Sequence, residues 1–163
     1  MSTMNYNKQL WLAGVLYTLH NIEESIGFST FVYPTELPLA IQTPTASAMI
    51  LAIGLITVIV WVLILWANPQ QKEINKKSLL IILSTVFLAN TFFPHMAATI
   101  ALKRYFPGLI TSIILYLPYS FWILPKLYQS YPGHNQFYQT AITGLLLVTV
   151  FVLVLQFFVH MLI

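Results

Sequence analysis

Residues 46–67, ASAMILAIGLITVIVWVLILWA, form an apolar stretch that carries no charged side chain. At about 1.5 Å per residue, a helix of this length extends about 33 Å, slightly more than the roughly 30 Å hydrocarbon core of a bilayer. The stretch stops at Asn68 and Pro69, where a helix is expected to end. This segment therefore predicts a transmembrane helix.

The whole chain shares this apolar character. Of its 163 residues, 58% are hydrophobic and 7% are charged, against about 45–50% and roughly 25% in soluble proteins. We therefore expect an all-α integral membrane protein, a single transmembrane helical domain over residues 1–163 without a soluble domain. The lack of cysteine excludes disulfides and thiolate metal sites. The net charge of +3 includes no basic run long enough to suggest nucleic acid.

Apolar stretches of spanning length recur along the chain and predict a bundle of about five transmembrane helices. The fourth stretch is the shortest and is punctuated by Pro107, Pro118 and Pro125, so an arrangement of four spans stays open. The first also has the form of a signal peptide, with Lys8 ahead of an apolar run, but no small-residue cleavage site follows. We interpret it as a retained helix. The predicted spans are residues 9–32, 46–67, 78–102, 109–123 and 138–163.

Lysine and arginine in the predicted loops indicate the orientation. A cytoplasmic N-terminus places five basic residues inside and two outside, and the positive-inside rule favours that arrangement for a multi-pass protein of the cell membrane. The inner residues are Lys8, Lys72, Lys76, Lys77 and Lys126, and the outer residues are Lys103 and Arg104.

The first predicted span contains three ionisable residues, His20, Glu23 and Glu24, in the run HNIEE. A charge near a helix centre costs about 2.5–3.5 kcal/mol on insertion scales, so these glutamates should be neutralised, paired, metal-bound or hydrated. Because the carboxylates follow His20 by three and four residues, both lie about one turn from the imidazole. We expect these residues to form a functional site. The alternative is a structural cluster, in which a protonated His20 pairs with one glutamate while the other stays neutral or lies near the interface.

Other spans carry polar residues at a similar depth. Asn90 and His95 lie in the third span, with Pro94 expected to free the Asn90 carbonyl and bend the helix. The fifth span adds Gln156 and His160. Because the first, third and fifth spans all run outward, these residues predict one shared polar pocket in the outer half of the bundle. Considered alone, His95 could also be a core histidine that bonds to a neighbouring helix. His160 could be a residue at the membrane interface.

The motif in the first helix resembles that of the HXXEE family, small bacterial membrane proteins named for it. The later segment NTFFPH, residues 90–95, is similar to a second polar segment of that family. The resemblance covers most of the chain. It implies a multi-span fold with His20, Glu23, Glu24 and His95 as the site, and it implies no particular reaction. A looser likeness is to sterol-isomerase membrane proteins of the emopamil-binding type, which also use intramembrane histidine and glutamates.

A membrane enzyme acting on a lipidic or isoprenoid-like substrate fits these residues, because a pocket among apolar helices offers little to a water-soluble molecule. Two mechanisms are compatible with them. In one, a divalent metal such as zinc or iron is bound. In the other, no metal is bound, one glutamate stays protonated as a general acid, and the second stays ionised as a base or as the partner of a substrate cation. The candidate ligands are His20, Glu23, Glu24 and His95, supported by Asn90 and His160, and the candidate catalytic residues are Glu23, Glu24 and His20.

Two other classes of function stay open. A lipid-binding or proton-coupled transport protein would use the same carboxylates to exchange protons, although five spans without a repeat are few for a monomeric transporter. A membrane interaction subunit would use them to bind the helices of another protein. The lipid bilayer is an expected partner in every case. An enzyme or a lipid-binding or transport protein would also bind an apolar or amphipathic small molecule.

Reporter fusions after Gln70, Phe106 and Ile163 test the orientation. The basic residues predict a cytoplasmic reporter after Gln70 and an extracytoplasmic one after Phe106 and Ile163. A cytoplasmic reporter after Ile163 would contradict five spans with a cytoplasmic N-terminus and would favour four or six crossings.

Overall fold

A computed structural model describes residues 4–32, 45–69 and 72–162, with the side chains of all of these except His160 and Leu162. Five helices make up most of this described part, and four of them, α2 to α5, are long and apolar enough to cross a membrane. The prediction of an all-α integral membrane bundle is confirmed. The helices are α1 (Tyr6–Thr30), α2 (Ala46–Ala67), α3 (Glu73–Leu102), α4 (Leu109–Ser130) and α5 (His134–Leu162).

Helix α1 is the one of the five that does not meet the same test of length and hydropathy. It contains the glutamates of the HNIEE run, so its composition reflects the polar residues it carries. The Asn5 side chain caps its first turn by accepting a hydrogen bond from the Lys8 amide at 3.1 Å. It packs along α2 and against α3. That α1 also crosses the bilayer stays a prediction.

Helix α4 is longer than its apolar pattern predicted. It continues through Pro118 and Pro125 to Ser130, whereas the sequence suggested an end near residue 123. A proline removes one backbone donor, but packing against α3 compensates for that loss in a bundle. Pro118 also lies in the first turn after a wide, π-helical turn at Ser112–Tyr116, where a missing N–H is well tolerated.

Helix α3 is interrupted where the sequence predicted a bend. The backbone at Phe93 is extended, with φ −140° and ψ 119°, inside a wide turn over Thr91–Met96. In a regular helix, residues five apart point about 140° away from each other. This interruption therefore allows His95 to turn toward the side chain of Asn90.

The largest apolar core joins all five helices and extends as far as the polar residues beside this interruption. It includes the parallel rings of Phe87 and Tyr116, whose centroids are 4.0 Å apart. The Tyr116 ring also contacts His20 at 4.4 Å, so the core supports the polar residues directly. Many apolar side chains of α5 face outward instead, as expected beside lipid, among them Ile142, Leu146, Leu147, Val150 and Phe157.

Candidate functional site

Three ionisable side chains of α1 and α3 converge in the bundle. The Oε1 atom of Glu24 lies 3.6 Å from His20 Nε2 and 3.4 Å from His95 Nε2. The two imidazoles are nearly perpendicular, with centroids 4.8 Å apart. Both histidines are buried, and Glu24 exposes 15% of its side chain. We call these three residues the His/Glu cluster.

Asn90 completes the wall of this cluster. Its Nδ2 atom is 3.0 Å from His95 Nε2 and 3.2 Å from His20 Nε2. An amide nitrogen carries two hydrogens, so a single Asn90 side chain has a donor for each imidazole. The sequence placed Asn90 in a supporting role, and in the structure it contacts both histidines.

Glu23 does not join the His/Glu cluster, although the sequence analysis expected both glutamates there. Its carboxylate accepts hydrogen bonds from the Ile110 amide at 3.1 Å and the Thr111 amide at 2.7 Å. It also accepts from the Thr111 hydroxyl at 2.5 Å and from the Tyr105 hydroxyl. Adjacent residues of a helix point about 100° apart, so Glu24 faces α3 while Glu23 faces the start of α4.

This contact makes Glu23 an N-terminal cap for α4. The first backbone N–H groups of a helix have no partner within the helix, and its dipole favours a negative charge there. Tyr105, in the turn outside the spans, adds a fourth hydrogen-bond donor to the Glu23 carboxylate. Burial, and next its hydrogen bond to Glu23, raise the pKa of Tyr105 to about 12, so the phenol stays protonated and donates at neutral pH.

The turn between α3 and α4 covers the cluster. Gly108 has a φ of +89°, which side chains rarely adopt, and a Cβ there would lie 2.9 Å from both Glu24 Cγ and His20 Cε1. It would also collide with the His95 ring. Pro107 is fully buried against Gly27 of α1. The turn thus closes over the site at a position where only glycine fits.

Several of these residues were not anticipated from the sequence. No motif in the sequence singles out Tyr105, Gly108 or Thr111. The Pro-Gly pair at residues 107–108 indicates a turn, but it does not indicate which residues that turn covers. Gln156 lines the cavity described below. The side chain of His160, a supporting candidate, lies outside the described residues.

A cavity of about 460 Å³ lies beside the cluster, between α1, α2, α3 and α5. Glu24 and Asn90 form part of its wall. Most of the remaining wall is apolar and includes Phe28, Met49, Ile53, Phe106, Leu145 and Val152. The cavity therefore combines a mostly apolar wall with a few polar side chains, among them two beside or within the cluster.

The spacing of the His/Glu cluster is suitable for a metal ion. The three potential ligand atoms all lie within 4.8 Å of one another. Zinc ligands at about 2.0–2.2 Å in a tetrahedron are about 3.3–3.6 Å apart, and the two distances to Glu24 Oε1, 3.6 and 3.4 Å, fall in this range. Two histidines and one carboxylate, with further positions free, form a ligand set that both zinc and non-haem iron enzymes use.

The charges around the cluster also suit a cation. Among the residues that the structure describes, neither Glu23 nor Glu24 has a lysine or arginine within ion-pair distance. The Tyr116 hydroxyl and His95 Nδ1 are buried without a hydrogen-bond partner of good geometry, although the Pro107 backbone lies near His95. A buried carboxylate beside two imidazoles is stabilised when a positive charge joins them.

Comparison with known proteins agrees with the motif. Residues 11–123 match the family described as "Protein of unknown function with HXXEE motif". This chain belongs to the HXXEE family. The matched segment contains the His/Glu cluster, Asn90 and the start of α4, and it ends before α5. In this member of the HXXEE family, the motif histidine and the second glutamate join His95 in the His/Glu cluster, and the first glutamate caps α4.

The chain is also similar to the uncharacterized protein YrkK of Bacillus subtilis (strain 168). The two are 30% identical over 103 residues, which cover 62% of this chain and 63% of YrkK. The chain thus aligns with less than two thirds of that relative. No solved structure matches this HXXEE protein.

The two motif glutamates should respond differently to replacement by glutamine. Glu23→Gln removes the charge at the start of α4 and leaves an amide facing backbone donors, so we expect a loss of about 1–3 kcal/mol in unfolding free energy. Glu24→Gln should be neutral or mildly stabilising in metal-free protein, because glutamine is cheaper to bury than a carboxylate. Thermal unfolding in detergent, with chelator present, measures both. A larger loss for Glu24→Gln would contradict these assignments.

Proposed function

We propose that this protein is a membrane-embedded enzyme that acts on a lipidic or isoprenoid-like substrate at the His/Glu cluster. The observation that carries the proposal is the cavity of about 460 Å³ with Glu24 and Asn90 in its wall. Small-molecule sites usually occupy about 300–1,000 Å³ and combine an apolar lining with a few polar groups. This cavity has both features beside titratable residues.

The shape of the wall supports the substrate class. A molecule that fills the cavity contacts apolar side chains of four helices along most of its surface. The polar residues of the wall are fewer, namely Tyr17, Asn21, Glu24, Asn90, Thr149 and Gln156. A largely apolar molecule with a few polar groups satisfies this distribution, whereas a water-soluble metabolite would lose hydration without enough hydrogen bonds in return. With the N-terminus in the cytoplasm of the cell, the site lies in the outer half of the membrane.

We further propose that a divalent zinc or iron ion is the cofactor. His20, His95 and Glu24 would hold it, and their ligand set leaves room for a substrate atom or water. When bound, such an ion polarises an oxygen-containing group or activates water. Glu23 has no ligand role in this scheme, since its oxygens are occupied by the start of α4. It holds the turn that closes the site.

A mechanism without metal uses the same residues. Glu24 would then transfer a proton at the wall of the cavity, with His20 and His95 beside its carboxylate. A lipid-binding or proton-coupled transport protein would use the cavity as well, and it would release its ligand chemically unchanged. Metal content and ligand turnover separate these alternatives.

Metal analysis tests the cofactor. Protein purified in detergent without chelator should carry about one equivalent of zinc or iron, and Glu24→Gln and His95→Ala should lose it. The control is His134→Ala, which removes a histidine that stacks on Tyr128 outside the cluster and should leave the metal unchanged. Native protein that carries no metal, and whose melting temperature does not rise when metal is added, would exclude the metal and favour proton transfer.

Lipid analysis tests the cavity and the chemistry. The protein in vesicles that contain a bacterial lipid extract should bind an apolar compound and convert it, as measured by mass spectrometry. Val148→Trp, which fills the cavity from α5, should abolish binding, whereas Val150→Trp on the exposed face of the same helix should not. Glu24→Gln should bind without converting. A compound that wild-type protein binds and returns unchanged would indicate a lipid-binding or transport protein.

A further inference from the structure

The Thr111 hydroxyl connects the cap of α4 to the His/Glu cluster. Its Oγ1 atom lies 2.5 Å from Glu23 Oε2 and 2.8 Å from His20 Nδ1. A hydroxyl has one hydrogen, so it donates to one of these neighbours and accepts from the other. The direction of this pair of hydrogen bonds decides which nitrogen of His20 carries a proton.

The other partners of Glu23 set that direction. Its carboxylate already accepts from two backbone amides and from Tyr105. An ionised carboxylate has only acceptors, and this set of donors favours the ionised form. Thr111 therefore donates to Glu23. Its oxygen then accepts from His20, which requires a hydrogen on Nδ1.

The contacts on the other side of the His20 ring agree with this assignment. A neutral imidazole with its hydrogen on Nδ1 presents a lone pair at Nε2. Asn90 Nδ2 lies 3.2 Å from that nitrogen and has hydrogens to donate. Glu24 Oε1 lies 3.6 Å from the same nitrogen, beyond hydrogen-bond distance, so the hydrogen-bond partner of Nε2 is the Asn90 amide. The lone pair of His20 thus points to the centre of the cluster.

We infer that Thr111 is a positioning residue that holds His20 as the Nδ1–H tautomer, with Nε2 directed at Glu24 and His95. Histidine ligands usually donate their second ring N–H to an oxygen acceptor, which fixes the ring and its tautomer. Here a threonine hydroxyl is that acceptor, and it is itself held by Glu23. The use of the Nε2 lone pair as a ligand rests on the proposed function, but the tautomer does not.

Nitrogen-15 NMR of histidine-labelled protein measures the tautomer directly. The sample is the full chain in detergent with chelator at about pH 8, where a histidine of ordinary pKa is neutral. His20 is assigned from the signal lost in His20→Asn. We expect a protonated Nδ1 and an unprotonated Nε2. The reverse pattern, which a protonated Glu23 would produce, overturns the inference.

Substitutions at Thr111 test whether its hydroxyl is the cause. Thr111→Val keeps the shape but removes the hydroxyl, so the His20 signal should change to a mixture of tautomers, whereas Thr111→Ser should retain the native pattern. Thr140→Val removes a hydroxyl that bonds the Gln136 carbonyl and should have no effect. An unchanged tautomer in Thr111→Val, or no recovery in Thr111→Ser, would contradict the positioning role.

Zinc titration separates this inference from the proposed cofactor. Thr111→Val should weaken zinc binding by about 10–100-fold, the usual effect of losing an outer partner of a histidine ligand. If wild-type protein shows the Nδ1–H tautomer and binds no zinc or iron, the positioning role stands and the metal proposal fails. If the Thr111→Val variant binds zinc as tightly as wild-type protein does, the positioning role fails and the metal proposal stands.

Discussion

The carboxylate of Glu23, bonded to the first amides of α4, joins two helices that are distant in the chain. A helix N-terminus presents unpaired N–H groups and the positive end of its dipole, and a carboxylate in apolar surroundings is a strong partner for both. Once α4 starts there, the turn over residues 103–108 lies across α1. Gly108 then meets the imidazoles, and Thr111 reaches His20. The geometry of the site depends on this one contact.

The spacing of the HXXEE motif follows from helix geometry. His20 and Glu24 are four residues apart and share a face, so both turn toward α3. Glu23 points about 100° away from Glu24, toward α4. Adjacent glutamates of one helix thus make different contacts without competing for one proton. One caps α4 beside the turn, and the other places its carboxyl group in the cluster.

The cluster also depends on the break in α3. A continuous helix would direct Asn90 and His95 to different sides, and the wide turn brings both to the cluster. A membrane tolerates such irregular backbone only where other helices or a cavity surround it. The matching wide turn of α4 packs against this segment, and the Thr91 hydroxyl contacts the Ser112 carbonyl. The irregular parts of the fold are therefore gathered around the site and its cavity.

The helical membrane class, the family and the unusual polar residues of the apolar helices could all be predicted from the amino-acid sequence. These properties depend on composition and on short local patterns, because lipid excludes charge and unpaired backbone from each segment separately. The bend near Pro94 was predictable for the same reason. Local pattern was a poorer guide to the end of α4, because packing with α3 keeps that helix regular beyond Pro118 and Pro125.

Only the tertiary structure decided which glutamate faces the histidines and which caps α4. That choice depends on the rotation of α1 about its own axis and on the path of the turn over it, and contacts between distant segments fix both. Glu23 and Thr111 are 88 residues apart in the chain, and Gly108 approaches the site only after α1, α3 and α4 have packed. Helical periodicity specifies the angle between two neighbouring side chains, but it does not specify the partner that each one meets.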